Sequence, residues 1–363
     1  MAMQPDFKRL RTALLCGRPD RVPTAELKCE DFIKQSFLGE AFPALLSDPR
    51  GYIEKDIEFH VRAGYDFVRV APVVDYGDHW RPARHAYAAG SDQVSQRKWA
   101  LTHQGPIANE DDLDRFPWPD PAGATYEWIE IASELLPPRM QLGTSLKGGG
   151  IFERAWMLMG FETFSFAIHD QPDLIARLID RTGEVYLEYI RRALEFDRVQ
   201  FVWLGDDLAH CHGLMVQPDL LRRRLFPWYA RIAQLCRSYD PPKPFVFHSD
   251  GRLWEIIDDL IDLGIHALHP IEPKAMDIAQ VKRHCAGKIC LIGNIDLGYT
   301  LTRGTPEEVS HEVRQRISQC GPGGGYVVSS SNSVTEYVPL ANYKAMLGAV
   351  ERFGTYPINL GPE

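Results

Sequence analysis

The tripeptide His248-Ser249-Asp250 closes the apolar run PFVFHSD and is the plainest candidate for chemistry in this chain. An imidazole at a strand end, with a carboxylate two residues later, can place both groups at one lip of a cleft. Both bind a divalent ion such as zinc, and both exchange protons. The competing reading is a core histidine bonded to backbone, with Asp250 capping the next helix. Glu26 closes a second run, VPTAE. A carboxylate there must be hydrated, ion-paired (Lys28 is the near partner) or bound to a cation, so Glu26 reads as a ligand or general base. Asp206 and Asp207 follow the run QFVWLG. Neighbours on an extended chain point to opposite sides, so one can face a cleft while the other fastens a loop. The catalytic candidates are therefore Glu26, Asp206, Asp207 and His248, and the metal-ligating set is His248, Glu26 and Asp250.

Polar residues suited to holding a substrate end or follow other apolar runs: Lys147, His210, His212, His269, Asn294, Asp296, Ser330 and Asn332. His210-Cys211-His212 offers three metal-capable side chains in a row, but adjacent residues rarely all bind one ion, and pocket lining is the better reading. Ser329 to Ser331 lack a nucleophile elbow. Lys147 is followed by GGG, with no companions that would mark a Schiff-base lysine.

These residues need elements to bring them together. Eight short apolar runs recur: Val22–Glu26, Asp66–Asp75, Met140–Lys147, Gln200–Asp207, Pro244–Asp250, His266–Glu272, Ile289–Asp296 and Tyr326–Asn332. Near-continuous apolar runs rich in β-branched residues suit parallel strands buried on both faces. Helical patterns lie between most of them, so the expected fold is α/β, a (β/α)8 TIM barrel whose strand C-termini share one cleft. A single domain over residues 1–363 is expected, with an insertion at about 76–126 after the second strand. That insertion is rich in aromatics, Gly and Pro, contains a possible hairpin, and could form a wall or lid of the cleft. An N-terminal amphipathic helix carries Phe7, Leu10, Leu14 and Leu15 on one stripe, and its apolar face would allow a homodimer. The stretch PDLIARLIDRTGEVYLEYIRRALEF reads as one long helix or two, interrupted only by Gly183. Thr305 is an N-cap candidate for a later helix.

Composition excludes several classes. A formal net charge of −9 over 363 residues gives no basic footprint for nucleic acid. No apolar run reaches the length of a membrane span, and the opening MAMQPDFKRLRTALL lacks the features of a secretion signal. Seven scattered cysteines without a CxxC pair fit free thiols in a reducing cytoplasm.

Read in order, several segments resemble the uroporphyrinogen decarboxylase superfamily: GDD (205–207), FHSDG (247–251), IEPKAMD (271–277), LIGNID (291–296) and GGGYVVSSSNSV (323–334). GPIANEDDLDRFPWPDP, GGIFERAWMLMGFETF and the closing PLANYKAMLGAVERFGTYPI fit as well, so the resemblance spans the chain from about Arg18. It implies a (β/α)8 barrel and one of two chemistries. Decarboxylases of the superfamily carry an arginine-rich N-terminal motif of the type RQAGR, and here the corresponding stretch reads ELKCEDFIKQ. The methyltransferase branch works with corrinoid proteins, and several members hold zinc through His-x-Cys and a later cysteine. His248 matches that histidine, whereas Asp250 stands at the first cysteine and SSSNS surrounds the place of the second. The resemblance thus implies a corrinoid-linked methyltransferase acting between a small methyl donor (a methoxylated compound or methylamine) and cobalamin carried by a partner protein. A divalent metal, zinc favoured, would sit on harder ligands: His248, Glu26 and Asp250, or an acid of the Asp206-Asp207 pair. An apolar rim is expected from Trp80, Phe152, Trp156 and Trp203. The alternatives are a porphyrinogen decarboxylase using Lys28, Arg69, Lys147 and Arg154 as cleft cations, and a non-catalytic corrinoid- or small-molecule-binding barrel.

Overall fold

Seven of the eight apolar runs pair into one parallel sheet in a computed structural model that describes residues 4–77, 80–82, 98–100, 103–146, 148–285 and 287–360. The strands are β1 (Phe67–Val70), β2 (Gln141–Thr144), β3 (Val199–Gly205), β4 (Phe245–His248), β5 (Ala267–His269), β6 (Cys290–Ile292) and β7 (Tyr326–Val327). Their spatial order is their chain order, and every neighbouring pair is parallel. Helices on the outer side bury the apolar residues that point away from the sheet centre. The result is a curled α/β sheet of the TIM-barrel type, with the polar strand ends gathered at the C-terminal edge.

The first run departs from expectation. Val22–Glu26 forms no strand; Thr24 and Cys29 make isolated parallel bridges to Val328 and Val334. Pro23 has no N–H to give a ladder. What remains is the pair of bonds from Ala25 N–H to the Val328 carbonyl and from Val328 N–H to the Pro23 carbonyl, each 3.0 Å. That is enough to hold Glu26 beside β7.

Helix α1 (Phe7–Leu14) buries Phe7, Leu10, Ala13 and Leu14 against the chain's own core, Phe7 stacking on Phe201 at 5.8 Å. The stripe expected to offer a dimer face is thus used internally, and only Leu15 beside it is exposed. Helix α2 (Ile151–Met159) follows β2, and α3 (Pro172–Leu194) is continuous through Gly183. A Cβ at Gly183 would lie 2.2 Å from the Trp228 ring, so the glycine admits the indole rather than breaking the helix. Helix α4 (Pro306–Cys320) is capped by Thr305, whose hydroxyl accepts from Glu308 N–H. In the segment expected as an insertion, Trp80–Pro82 pairs antiparallel with Lys98–Ala100. The residues between and around that pair lie outside the described residues. No helix among the described residues is long and apolar enough to cross a membrane.

Candidate functional site

Register brings the site together. Gly205 pairs with His248, and His248 with His269, so the ends of β3, β4 and β5 form one row. The chain leaves β3 through Asp206 and Asp207, and β4 through Ser249 and Asp250. A cleft of about 750 Å³ opens above them, lined by Glu26, Arg69, Glu153, Asp207, His248 and Asn332 among others.

Three groups converge there. His248 Nε2 lies 3.5 Å from Asp207 Oδ1 and 3.8 Å from Asp250 Oδ1. One ligand atom from each of Asp207, His248 and Asp250 fits within 4.8 Å of the others. The carboxylates are held in place: Asp250 N–H donates to Asp207 Oδ1 at 2.8 Å, and Asn332 Nδ2 donates to Asp250 Oδ2 at 2.5 Å. Asp250 Oδ1 is buried and has no hydrogen-bond partner. Burial first, then the charges of Asp207 and Glu272, push the Asp250 carboxyl up to about 8, with Asn332 opposing. Burial lowers the His248 pKa, Asp207 opposing and Arg69 adding to the effect. A neutral imidazole beside carboxylates that lack a counter-charge is the donor set a divalent cation requires. The residues therefore fit a metal, and the oxygen-rich set leaves ions other than zinc open.

Behind His248 runs a chain of hydrogen bonds. His248 Nδ1 is 2.7 Å from His269 Nδ1, and His269 Nε2 is 3.1 Å from Ser329 Oγ. The Ser329 hydroxyl donates to Glu26 Oε2 at 3.2 Å, and Ser330 donates its hydroxyl to Oε2 at 2.5 Å and its N–H to Oε1 at 2.9 Å. With Glu26 ionised, each donor points towards it, so His248 carries its proton on Nδ1 and turns the Nε2 lone pair to the cleft; with Glu26 protonated the same chain can run in the opposite sense. Glu26, fully buried, is pushed up to about 7 by desolvation, against the lowering effect of the Ser330 and Ser329 bonds.

The structure thus brings His248, Asp250 and Asn332 together with Asp207. Glu26 is not among the converging ligand atoms; it ends the relay two side chains behind His248, and Asp207 takes the ligand position expected of it. The expected Glu26–Lys28 pair does not form, since the Lys28 ammonium faces Glu30 at 3.8 Å. Asp206 turns the other way and is wholly buried. It accepts from Phe152 N–H and Glu153 N–H at 2.9 Å each, capping α2, and from the Tyr229 hydroxyl at 2.7 Å. Burial chiefly pushes it up to about 6.

Other expected substrate residues sit apart. His210 and His212 are exposed on a small hairpin outside the cleft, His212 N–H donating to His210 Nδ1. Asn294 is buried and donates to the Ile271 carbonyl at 2.6 Å, while Asp296 caps its own turn through Gly298 and Tyr299 N–H. His269 and Ser330 belong to the relay rather than the cleft wall. Lys147 and the Trp80 side chain lie outside the described residues, and of the expected rim only Trp203 lines the cleft. No described residue of the 76–126 segment does.

Sequence reasoning missed Glu153. Its Oε2 accepts from Gly150 N–H at 3.3 Å and Asp207 N–H at 3.1 Å, and burial beside Asp207 and Asp206 holds its pKa well above the usual carboxylate range. The available signal was its place at the third position of a helix opened by glycines, where a glutamate closes a capping box. All seven cysteines are free, and none joins the His248 cluster.

Comparison with known proteins gives a consistent frame. The sequence profile of the uroporphyrinogen decarboxylase family (URO-D) matches residues 89–353. The uroporphyrinogen decarboxylase of Mannheimia succiniciproducens is 23% identical over 68% of this chain and 70% of its own length. The methylcobamide:CoM methyltransferase MtaA of Methanosarcina barkeri (strain Fusaro) is 22% identical over 95% of this chain and 98% of that protein. Among solved structures, a methyltransferase from Methanosarcina mazei superposes with a TM-score of 0.69 at 20% identity, covering 95% of this chain and 98% of that one. At that identity the match speaks for the fold.

Proposed function

The chain belongs to the uroporphyrinogen decarboxylase family, and we propose that within it the protein is a metal-assisted methyltransferase. It moves a methyl group between a small methylated substrate, a methyl ether or methylamine, and a corrinoid carried by a partner protein. One observation carries this reading: Asp207, His248 and Asp250 converge at the cleft with a buried carboxylate oxygen that nothing on the chain satisfies. A divalent cation held there, zinc favoured, would supply Lewis acidity to the heteroatom that loses the methyl group.

The chain's own residues do the rest. His269 fixes the His248 ring and its tautomer, as a hydrogen-bonded partner behind a metal-binding histidine does. Asp250 N–H and Asn332 orient the two carboxylates. The departing heteroatom needs a proton, and the candidates to supply it are Glu26, whose carboxyl burial pushes up to about 7, and Glu153, which burial and the neighbouring Asp207 and Asp206 hold well above the usual carboxylate range. Hard oxygen ligands suit an oxygen or nitrogen heteroatom better than a thiol.

A porphyrinogen decarboxylase would need several cations facing its multiply anionic substrate. Of the expected ones, Arg154 is turned to the Gly148 carbonyl and covers the Tyr76 ring, and Lys28 pairs with Glu30. Among the described residues of that set Arg69 alone is left to face it, which favours the methyltransferase reading.

The test is elemental analysis of the zinc-reconstituted protein beside His248→Ala. About one equivalent of metal in the parent and little in the variant is expected from a single mononuclear site. The parent should then methylate a corrinoid protein from methyl ethers or methylamines, followed by corrinoid absorbance. Absence of metal from both proteins refutes the mechanism, and binding of a corrinoid without turnover would favour a non-catalytic barrel.

A further inference from the structure

Arg69 is a cleft cation without an anion. It projects from the middle of β1 into the same cleft that Asp207 and His248 line. Among the described residues it makes no hydrogen bond or ion pair; its guanidinium lies over the Trp203 ring, 5.3 Å from the centroid. Lys34 in the same cleft shows the contrast, with Asp56 at 2.6 Å and Asp31 at 3.5 Å. Burial alone acts on the titration of Arg69, lowering it to about 10 with no acid offsetting the effect. Yet acids outnumber basic residues in the chain, 49 to 40. An arginine desolvated without a counter-charge is costly.

A second orphan shares that wall. The indole N–H of Trp203, the ring that Arg69 covers, is buried without an acceptor. The mixed lining of the cleft also includes the apolar side chains Phe67, Tyr65, Val70 and Leu146, and the Phe67 ring lies 6.2 Å from Trp203. A guanidinium and an N–H that both want acceptor oxygens, set in aromatic walls, match a planar acid: its carboxylate meets the fork and its body lies against the rings. The acids Glu153 and Asp207 would repel the same carboxylate, which fixes the direction in which such a molecule enters.

We propose that Arg69 receives the carboxylate of a small planar organic acid, and that the methylated substrate is of this class, with its methylated heteroatom at the far end near His248. The identification of that acid as the substrate rests on the methyltransferase reading; its binding at Arg69 does not. Arg69 lies over Trp203, whose ring centroid is 5.3 Å from that of His269, which in turn is 4.9 Å from His248, so the two ends of the cleft are within reach of one small molecule.

The test is calorimetric titration with 4-methoxybenzoate and with uncharged methoxybenzene. Parent, Arg69→Gln, Arg69→Lys and His248→Ala proteins are compared, each chelator-treated and zinc-loaded. The acid should bind the parent in both states. Arg69→Gln should weaken it about 10- to 100-fold, the usual value of a charge-assisted pair, with Arg69→Lys between. Methoxybenzene affinity should be the same in parent and Arg69→Gln, which also shows that the variant is folded. Equal acid affinity in parent and Arg69→Gln overturns the proposal. So does acid binding that appears only with zinc and ignores Arg69, because the carboxylate then sits on the metal. Arg69-dependent binding in a protein that takes up no zinc upholds this inference and refutes the metal mechanism instead.

Discussion

Replacing Glu26 with glutamine should stabilise the protein at alkaline pH and leave it nearly unchanged in mild acid. Glu26 is fully desolvated, and its carboxyl moves from an ordinary 4.5 to about 7 in the fold. Between those two values the native state holds a proton that the unfolded chain has released. Stability therefore falls as pH rises from 4.5 to 7 and is constant above it. At about 1.36 kcal/mol per unit, ionised Glu26 costs the native state about 3 kcal/mol at pH 8. Glutamine keeps the shape and still accepts from Ser330 N–H, and the Ser329 and Ser330 hydroxyls can turn to accept from its amide. Urea denaturation of parent and Glu26→Gln at pH 5 and pH 8 measures the difference. The variant should gain about 3 kcal/mol over the parent at pH 8 and less than about 1 kcal/mol at pH 5. A gain independent of pH, or a loss that grows with pH, would show that Glu26 is ionised in the fold throughout. It could then not serve as the proton-holding end of the relay.

Two substitutions separate structural from chemical roles. Asp206→Ala removes the acceptor for two α2 N–H groups and the Tyr229 hydroxyl; a loss of about 3 kcal/mol in urea denaturation is expected from those stranded buried donors. Metal content of the folded variant should match the parent, and a loss of metal would make Asp206 part of the site. Gly183→Ala should destabilise by about 1–3 kcal/mol although alanine is the better helix former, because its methyl would meet the Trp228 ring. Thermal denaturation decides it, and a rise in melting temperature would mean that Trp228 moves freely.

What the sequence made legible follows from how strongly each feature depends on local pattern. Runs such as PFVFH and ICLI are buried strands in any α/β context, and all seven that lack an internal proline near their start became strands. VPTAE failed because Pro23 takes a donor out of the ladder. His248 and Asp250 were legible together because residues two apart on extended chain share a side. The same parity said that Asp206 and Asp207 must part, yet not which would face the cleft; that depends on the register of β3 against β2 and β4. Glu26 was misplaced as a ligand for a related reason, since its position is fixed by bridges to Val328 and not by its own run. His210 and His212 misled because a tight hairpin carries them out of the cleft, a matter of turn geometry. Arg69 was legible as a cleft cation but its want of a counter-charge was not, and Glu153, in the first turn of a helix, carried little signal; only packing gives both their meaning.

The cleft combines two unfinished balances of charge. At one end Asp207 and Asp250 lie beside His248, and burial with the charges of Asp207 and Glu272 pushes the Asp250 carboxyl up to about 8. Carboxylates held close in a desolvated cleft repel one another, and a proton or a cation offsets that repulsion. At the other end Arg69 is desolvated with nothing opposite it. Had the two ends been meant to neutralise one another, an acid would lie within range of the guanidinium, and none lowers the cost of its burial. Trp203 lies between the two ends in the chain of contacts, its ring centroid 5.3 Å from the Arg69 guanidinium and 5.3 Å from the His269 ring. A cation at the acidic end and an anion at Arg69 would complete the site together, and a molecule that brings an anionic end and a methylated heteroatom spans that division.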